Sequence, residues 1–414
     1  MKICIMNYVY GETIRSGSEK YCKVIAEALK DRGHEVFVIT TKPYKNLESL
    51  KVSATIIDGI KVYSIWPLLL NMPIYSKKIF NFGRVFTFLF GFFNPYIYYT
   101  VKKILKKESP DVIQTNDVIY LSLSVFRAAK LLNTPVVHTL HYYSLIHPLG
   151  SLLNLRGEVI TRPSILDKIY AKLNEFIIGD SVKIVASVSK FCLNKHLEYG
   201  VFSDKKCVVI PNLFSFTIKE KLDGSNGIIK KYFDILYVGA LATTKGMPTL
   251  IKAFKKIQNT NARLHIVGGG ELKIETKSLM ELGRNDNRIT FYGRIQNDKI
   301  KEFYEMTDVT VVPSELYETF GRVIIESFID GKPVIGSKIG AIPELIQEGY
   351  NGFLFEPRNA EQLKEILEYV ILNQDKLKEM RENCINTAKK YSVENNIYKL
   401  EEIYKEAIKL NQRR

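Results

Sequence analysis

Cysteine is scarce and unpaired in this chain. Cys4, Cys22, Cys192, Cys207 and Cys384 are five scattered thiols in 414 residues. No two are close enough in sequence to form a ligand pair, which excludes a zinc signature. An odd, dispersed set suits a reducing compartment, so reduced thiols and a cytoplasmic location are expected. The Gly-x-Gly-x-x-Gly fingerprint is missing from Tyr8–Glu19, which argues against a nicotinamide-dependent oxidoreductase. Long apolar runs are also missing. Lys2–Met6 is too short for a signal-peptide core and reads as a first buried strand. Acidic residues are the minority charge, 44 Asp and Glu against 59 Lys and Arg, for a net charge of +15. That excess favours anionic partners, namely nucleic acid, an acidic membrane surface or phosphorylated ligands. No nucleic-acid-binding motif accompanies it, so nucleic acid is not expected as a partner. With 46% apolar and 25% charged residues, disordered, collagen-like and coiled-coil classes are excluded.

What is present is an alternating α/β pattern. Lys2–Met6, a Gly- and Ser-punctuated loop over Tyr8–Ser18, a helix carrying Val24, Ala28 and Leu29, the break at Gly33-His34 and the strand Val36–Thr40 make a βαβ unit. Such a unit predicts a parallel sheet covered by helices on both faces. Further strands are expected at Val112–Thr115, Val136–Thr139, Ile184–Val188 and Val208–Ile210. A linker-like stretch, Lys219–Lys231, precedes a second series: Ile235–Val238, Arg263–Val267, Ile289–Tyr292, Val309–Val312 and Pro333–Gly336. Helices are expected around Pro248–Ile257, Glu271–Leu282, Asp298–Met306 and Gly321–Ile329, and residues 360–410 read as helices alone. The inference is two doubly wound α/β domains with a cleft between them.

One segment departs from the average composition. Trp66–Lys107 holds 12 aromatic residues and seven Lys or Arg, with no acidic residue. Its uncharged part, Val85–Val101, would span about 25 Å as a helix, short of the ~30 Å hydrocarbon core, and contains Gly91, Asn94 and Pro95. An ordinary buried helix is one reading. A membrane-surface element is the other, because aromatic rings flanked by lysines suit an interface.

The strongest local signal is the run Glu315–Glu326. Glu318 lies before a helix and Glu326 on it. The first amides of that helix, near Gly321–Val323, form a seat for phosphate. Two carboxylates beside such a seat could accept hydrogen bonds from sugar and ribose hydroxyls. The same stretch also reads as a solvated acidic loop before a surface helix. Upstream, Gly239 at a strand end leads to Lys245, a cation placed to neutralise phosphate charge. Gly269, within Gly268-Gly269-Gly270, follows the next strand, although a lone triple glycine is weak.

Together these stretches resemble the retaining glycosyltransferases of family 4, the glycosyl transferase group 1 domain, with the two-domain GT-B fold. Glu318 and Glu326 match the family's Glu, seven residues, Glu motif. Phe320-Gly321, Ser327–Val334, Gly340–Ile346 and Asn351–Leu354 match the stretches around and after it. Val208–Asn212 resembles the element before the domain linker, with Leu213 in place of its glycine. Ser16-Gly17-Ser18-Glu19 resembles the family's Gly-Gly-x-Glu loop, and His141 fits its His-Asp element. Three departures are evident: Ala240 stands where relatives carry an arginine, Tyr142 replaces the aspartate, and Ser16 replaces the first loop glycine. Lys245 would therefore carry more of the diphosphate charge, with help from Arg322 or Arg294.

The resemblance implies an N-terminal Rossmann-like acceptor domain over 1–215, with 66–107 as a membrane-docking segment. A nucleotide-sugar donor domain over 216–390 and a C-terminal helix over 391–414 crossing back to the first domain complete it. It implies an enzyme of class EC 2.4 that transfers a sugar, with retention, from a UDP- or GDP-sugar to a hydroxyl of a lipid-linked or saccharide acceptor in cell-surface polysaccharide or glycolipid synthesis. His141, Lys245 and Glu318 would be catalytic. Gly17, Gly239, Lys245, Gly269, Arg294, Glu318, Thr319, Phe320, Gly321, Arg322, Val323 and Glu326 would bind donor, Glu326 on the ribose and Glu318 with His141 on the sugar. The departing phosphate oxygen would deprotonate the acceptor. No cofactor is expected and no divalent-metal motif is present. The expected partners are the donor, the acceptor and an anionic membrane surface, with the protein peripheral on the cytoplasmic face. A sugar-nucleotide epimerase of the same fold and a catalytically silent sugar-nucleotide binder are the rival readings.

Overall fold

The computed structural model describes residues 1–11, 16–43, 46–67, 91–118, 121–154, 156–217, 230–270 and 273–413. The chain divides into two compact units. The first comprises Met1–Ser151, Thr161–Ser215 and Val393–Arg414, and the second Leu152–Ile160 and Phe216–Ser392.

The first unit is built on eight strands: β1 (Lys2–Met6), β2 (Glu35–Thr41), β3 (Ser53–Ile57), β4 (Ile60–Ile65), β5 (Val112–Thr115), β6 (Val136–Leu140), β7 (Val182–Ser187) and β8 (Lys206–Val209). Their order is β3-β4-β2-β1-β5-β6-β7-β8, parallel throughout except the edge hairpin β3–β4. The short apolar runs become central strands because both faces are covered. On β1, Ile3 pairs with Val36 on one side and Val112 on the other. Ile3, Ile5, Val38, Val137 and Ile184 share a core with Tyr21 and Leu29 of the helix Gly17–Asp31. The last helix, Val393–Gln412, joins the same core through Ile397, Leu400, Tyr404 and Ala407.

The hairpin was not expected. Its turn, Asp58-Gly59, has positive φ at both residues (50° and 70°), the geometry that two-residue hairpins favour. In the aromatic and basic segment, positions 68–90 lie outside the described residues. From Pro95 to Glu108 the chain is a helix that buries Ile97, Val101, Ile104 and Leu105 and turns Lys103, Lys106 and Lys107 outward. No helix among the described residues is long and apolar enough to cross a membrane.

The second unit has six parallel strands: β9 (Phe233–Val238), β10 (Ala262–Val267), β11 (Ile289–Gly293), β12 (Val309–Val312), β13 (Val334–Ser337) and β14 (Gly352–Phe355), in the order β11-β10-β9-β12-β13-β14. β14 is the other unexpected strand. The chain winds outward from β9 through β10 to β11, then returns to β12 on the opposite side of β9. The carboxyl ends of β9 and β12 therefore flank the point where strand order reverses, the place where loops diverge and leave room for a ligand.

Candidate active site

Lys245 and Glu318 come from the two loops at this reversal point. Lys245 ends a short 3-10 turn after β9, and Glu318 lies in the loop after β12. The loops are locked together. Glu315 donates its backbone N–H to the Thr244 carbonyl (2.9 Å). Gly246, at φ +74°, presses so closely on the second loop that a Cβ would stand 1.7 Å from the Pro313 carbonyl oxygen. Only glycine tolerates both the conformation and the approach. Lys245 Nζ donates to Glu318 Oε1 at 2.5 Å, and Ser314 Oγ donates to the same oxygen at 2.7 Å. Burial pushes the Glu318 carboxyl up, but the Lys245 charge and the two hydrogen bonds outweigh it, and the group lies below its ordinary value. A third loop, after β13, supports the second. Ala341 donates to the Glu318 carbonyl (2.9 Å), and Gly340, at φ +62°, has no room for a Cβ, which would sit 2.5 Å from the Glu318 nitrogen.

The helix start expected to seat phosphate follows directly. Gly321 (φ 104°) caps the helix Arg322–Ile329, whose first amides have no partner within the helix. Phe320 before it is buried, edge-on to Tyr391 at 5.7 Å. Thr319 connects Glu318 to this cap, and Val323 sits in the first turn. One turn on, Glu326 accepts from the Tyr304 hydroxyl (3.3 Å) and lies 3.7 Å from Arg322 Nε. The two glutamates thus have different partners. Arg322 pairs with Glu326, whereas Lys245 pairs with Glu318. Beside them, the ends of β9 and β10 abut: a Cβ on Gly268 would stand 1.7 Å from the Gly239 carbonyl oxygen. Arg294, exposed after β11, lies 3.5 Å from where a Gly269 Cβ would be.

Gly17 and His141 belong to the first unit. Its own reversal point lies between β1 and β5, and Gly17 opens the helix behind Ser16, whose backbone N–H donates to Glu19 (3.1 Å). His141 follows β6 directly. Its Nε2 is 3.2 Å from Asn116 Oδ1 and its ring 4.9 Å from Tyr21. Tyr142 accepts from the Ser18 hydroxyl (3.5 Å). A small, open depression lies here, lined by Asn116, Asp117, Thr139, His141, Tyr142 and Ser144 among others. Among the described residues no group of three or more His, Cys, Asp or Glu could hold a metal ion.

The family model for glycosyl transferases group 1 matches residues 218–391, and that for glycosyltransferase family 4 matches residues 15–215. Between them only residues 216 and 217 are skipped. The chain belongs to the group 1, family 4 glycosyltransferases. An uncharacterized glycosyltransferase of Methanocaldococcus jannaschii is 27% identical over 432 residues, covering 99% of each chain. Among solved structures, sucrose-phosphate synthase from Thermosynechococcus elongatus superposes with TM-score 0.73 at 19% identity, covering 98% of each chain. The Anabaena protein HepE in complex with UDP-glucose gives 0.70 at 20% identity, covering 99% of each. At such identities these neighbours establish the shared GT-B fold.

In this glycosyltransferase several residues that hold the site were not singled out from sequence. Ser314 follows β12 after Pro313, and its nearness to Glu318 needed the loop's turn. Tyr304 reaches Glu326 from the helix Asn297–Met306. Asn116 could have been noticed as a polar residue directly after β5, the strand end opposite β1. Glu315 is a support of another kind: it accepts from the Thr249 hydroxyl (2.7 Å) and from Arg358 Nε (2.9 Å), tying the loop to its own unit.

Proposed function

We propose that this glycosyltransferase moves a sugar from a nucleoside-diphosphate sugar to a saccharide or lipid-linked acceptor hydroxyl, with retention at the anomeric carbon. The observation that carries the reading is the Lys245–Glu318–Ser314 cluster at the strand-order reversal beside the Gly321-capped helix. It combines one cation, a row of helix amides and a carboxylate kept ionised. On donor arrival Lys245 would turn from Glu318 to the diphosphate, and the amides of Arg322 and Val323 would take the remaining phosphate charge as the bond to the sugar breaks. Glu318, released, would accept from sugar hydroxyls, and Glu326 from the ribose. His141 would position the sugar, and the departing phosphate oxygen would take the acceptor proton, so no protein nucleophile is needed. Uridine is the favoured base, because the Anabaena neighbour is described in complex with UDP-glucose; a GDP-sugar is the second choice.

The test is a thermal-shift panel of UDP- and GDP-sugars, followed by NMR of the product. A ligand at about 100 times its Kd adds about 2.7 kcal/mol of stability, which a melting curve resolves. The expected result is stabilisation by one donor and a glycoside with the donor's anomeric configuration. An inverted anomer overturns retention. An isomerised sugar nucleotide formed without acceptor identifies an epimerase, and binding without turnover a silent binder.

A further inference from the structure

The helix Ile165–Ile178 carries an apolar ridge on the outside of the first unit. Ile165, Leu166, Ile169, Leu173 and Phe176 are between 43% and 83% exposed. At about 100° per residue these five fall within an arc of about 100°. Ala171, Asn174 and Ile178 occupy the opposite, buried side. The helix is held firmly with this ridge outward. Ser164 caps it, accepting from the Asp167 backbone (3.1 Å), while Tyr170 Oη and Asn174 Nδ2 donate to the carbonyls of Ser144 and Leu145 (both 2.9 Å). A lone exposed leucine needs no explanation, but a contiguous stripe of five large side chains does.

The place and the charge say what covers it. Ser144 and Leu145, the residues that hold the helix, also line the depression at His141, and Leu149 in the same loop is exposed as well. The first unit has 32 Lys and Arg against 19 Asp and Glu, so +13 of the chain's +15 falls on it. Lys168 and Lys172 border the ridge, both exposed. A second copy is a poor occupant. Five side chains offer a few hundred Å² at most, against about 800 Å² per partner in a stable interface, and two units of +13 repel each other.

We propose that the helix Ile165–Ile178 docks the first unit on an anionic lipid bilayer, with the ridge entering the interface and the basic excess held by headgroups. This deepens the transfer reading by choosing a lipid-linked acceptor, delivered beside the depression at His141. It rests on that reading for its purpose, and on exposure and charge for its support. In the 66–107 segment, the described helix Pro95–Glu108 contributes charge through its outward lysines, while the apolar contact comes from the ridge.

The experiment is co-sedimentation of the full chain with phosphatidylcholine vesicles, with and without phosphatidylglycerol, at low and high salt, alongside UDP titration. The wild type should pellet with anionic vesicles and lose binding as salt rises. The Leu166→Glu/Phe176→Glu variant should bind them at least about tenfold more weakly, with unchanged melting temperature and unchanged UDP affinity, because both side chains face water in the free protein. Ile169→Ser/Leu173→Ser should act in the same direction. Equal pelleting of variant and wild type overturns the assignment to this helix. UDP binding without vesicle binding overturns docking and leaves the transferase reading intact. Vesicle binding without binding of any sugar nucleotide does the reverse. A wild-type dimer lost in the variant, with no vesicle binding, assigns the ridge to a second copy instead.

Discussion

Lys245→Ala is expected to weaken UDP binding about 10- to 150-fold. A hydrogen bond between charged groups contributes about 1.5–3 kcal/mol, and each 1.4 kcal/mol is a factor of ten in affinity. The geometry pushes the effect toward the upper end. In the free protein Lys245 Nζ and Ser314 Oγ share Glu318 Oε1, so removing the lysine subtracts one cation and also leaves Glu318 as an uncompensated negative charge facing the diphosphate. Lys245→Ala/Glu318→Gln should therefore bind UDP more tightly than Lys245→Ala alone, while remaining weaker than wild type. Glu318→Gln alone should bind UDP as well as wild type or better, since its lysine is released, yet turn over far more slowly. Calorimetric titration of the four proteins at neutral pH forms a double-mutant cycle. Both side chains are largely buried, 30% and 17% exposed, so Lys245→Ala leaves a poorly solvated carboxylate and should also lower folding stability, and melting curves should confirm that the variants remain folded. Unchanged UDP affinity in folded Lys245→Ala, or a double variant no tighter than the single, refutes the reasoning.

Three further outcomes follow from the same geometry. Gly340→Ala forces a Cβ to 2.5 Å from the Glu318 nitrogen at φ +62°, and should lower stability by about 2–4 kcal/mol and displace Glu318, read as a lower melting temperature with reduced turnover. His141→Ala should depress turnover while sparing UDP affinity, and Glu326→Ala should weaken UDP itself by about tenfold; titration and initial rates separate them, and the reverse pattern would mean the roles are exchanged. Burial lowers the pKa of His138 to about 3, with His196 adding to the effect, and burial lowers His196 to about 4. The unfolded chain takes up these protons from about pH 6.5 downward while the folded chain does not, so stability should be full above pH 6.5 and fall through pH 4, by on the order of 3 kcal/mol per histidine. Urea denaturation across that range checks it, and His138→Gln should flatten the slope.

The sheet was legible because its central strands are buried on both faces and read as short apolar runs between glycines. The strands that escaped are those where this rule fails. β3 is an edge strand with Ala54, Thr55 and Ile56 exposed, so its apolar pattern is weak, although Asp58-Gly59 was an available hairpin signal. β14 begins at Gly352, which packs so closely on β13 that a Cβ would stand 2.0 Å from the Val334 carbonyl oxygen. Lys245 and Glu318 were each visible as residues, but not their pairing. It joins positions 73 apart and depends on β12 returning to the side of β9, which no local pattern encodes. The helix Ile165–Ile178 was not among the expected elements, so its ridge was missed, and recognising the helix would not have been enough. Helical periodicity tells which side chains share a face but not whether that face turns inward, and an apolar stripe reads by default as core.

The partition of charge separates the two tasks that a transferase combines. The second unit has 27 Lys and Arg against 25 Asp and Glu, close to neutral. It therefore has little net charge with which to gather an anionic donor, and on the proposed reading selectivity for diphosphate would come from groups in contact with it: Lys245, the Gly321 helix cap and the exposed Arg294. Lys245 is paired with Glu318, as Arg322 is with Glu326, so this region presents little net charge to passing anions. On the proposed roles, a phosphate that offers no sugar to engage Glu318 would have to break the ion pair without compensation, whereas a full donor would satisfy both partners at once. The pairing would thereby favour a sugar nucleotide over a simple phosphate. The basic excess lies on the first unit, where the proposed docking on a planar anionic surface would engage many charges together and no single contact would have to be specific.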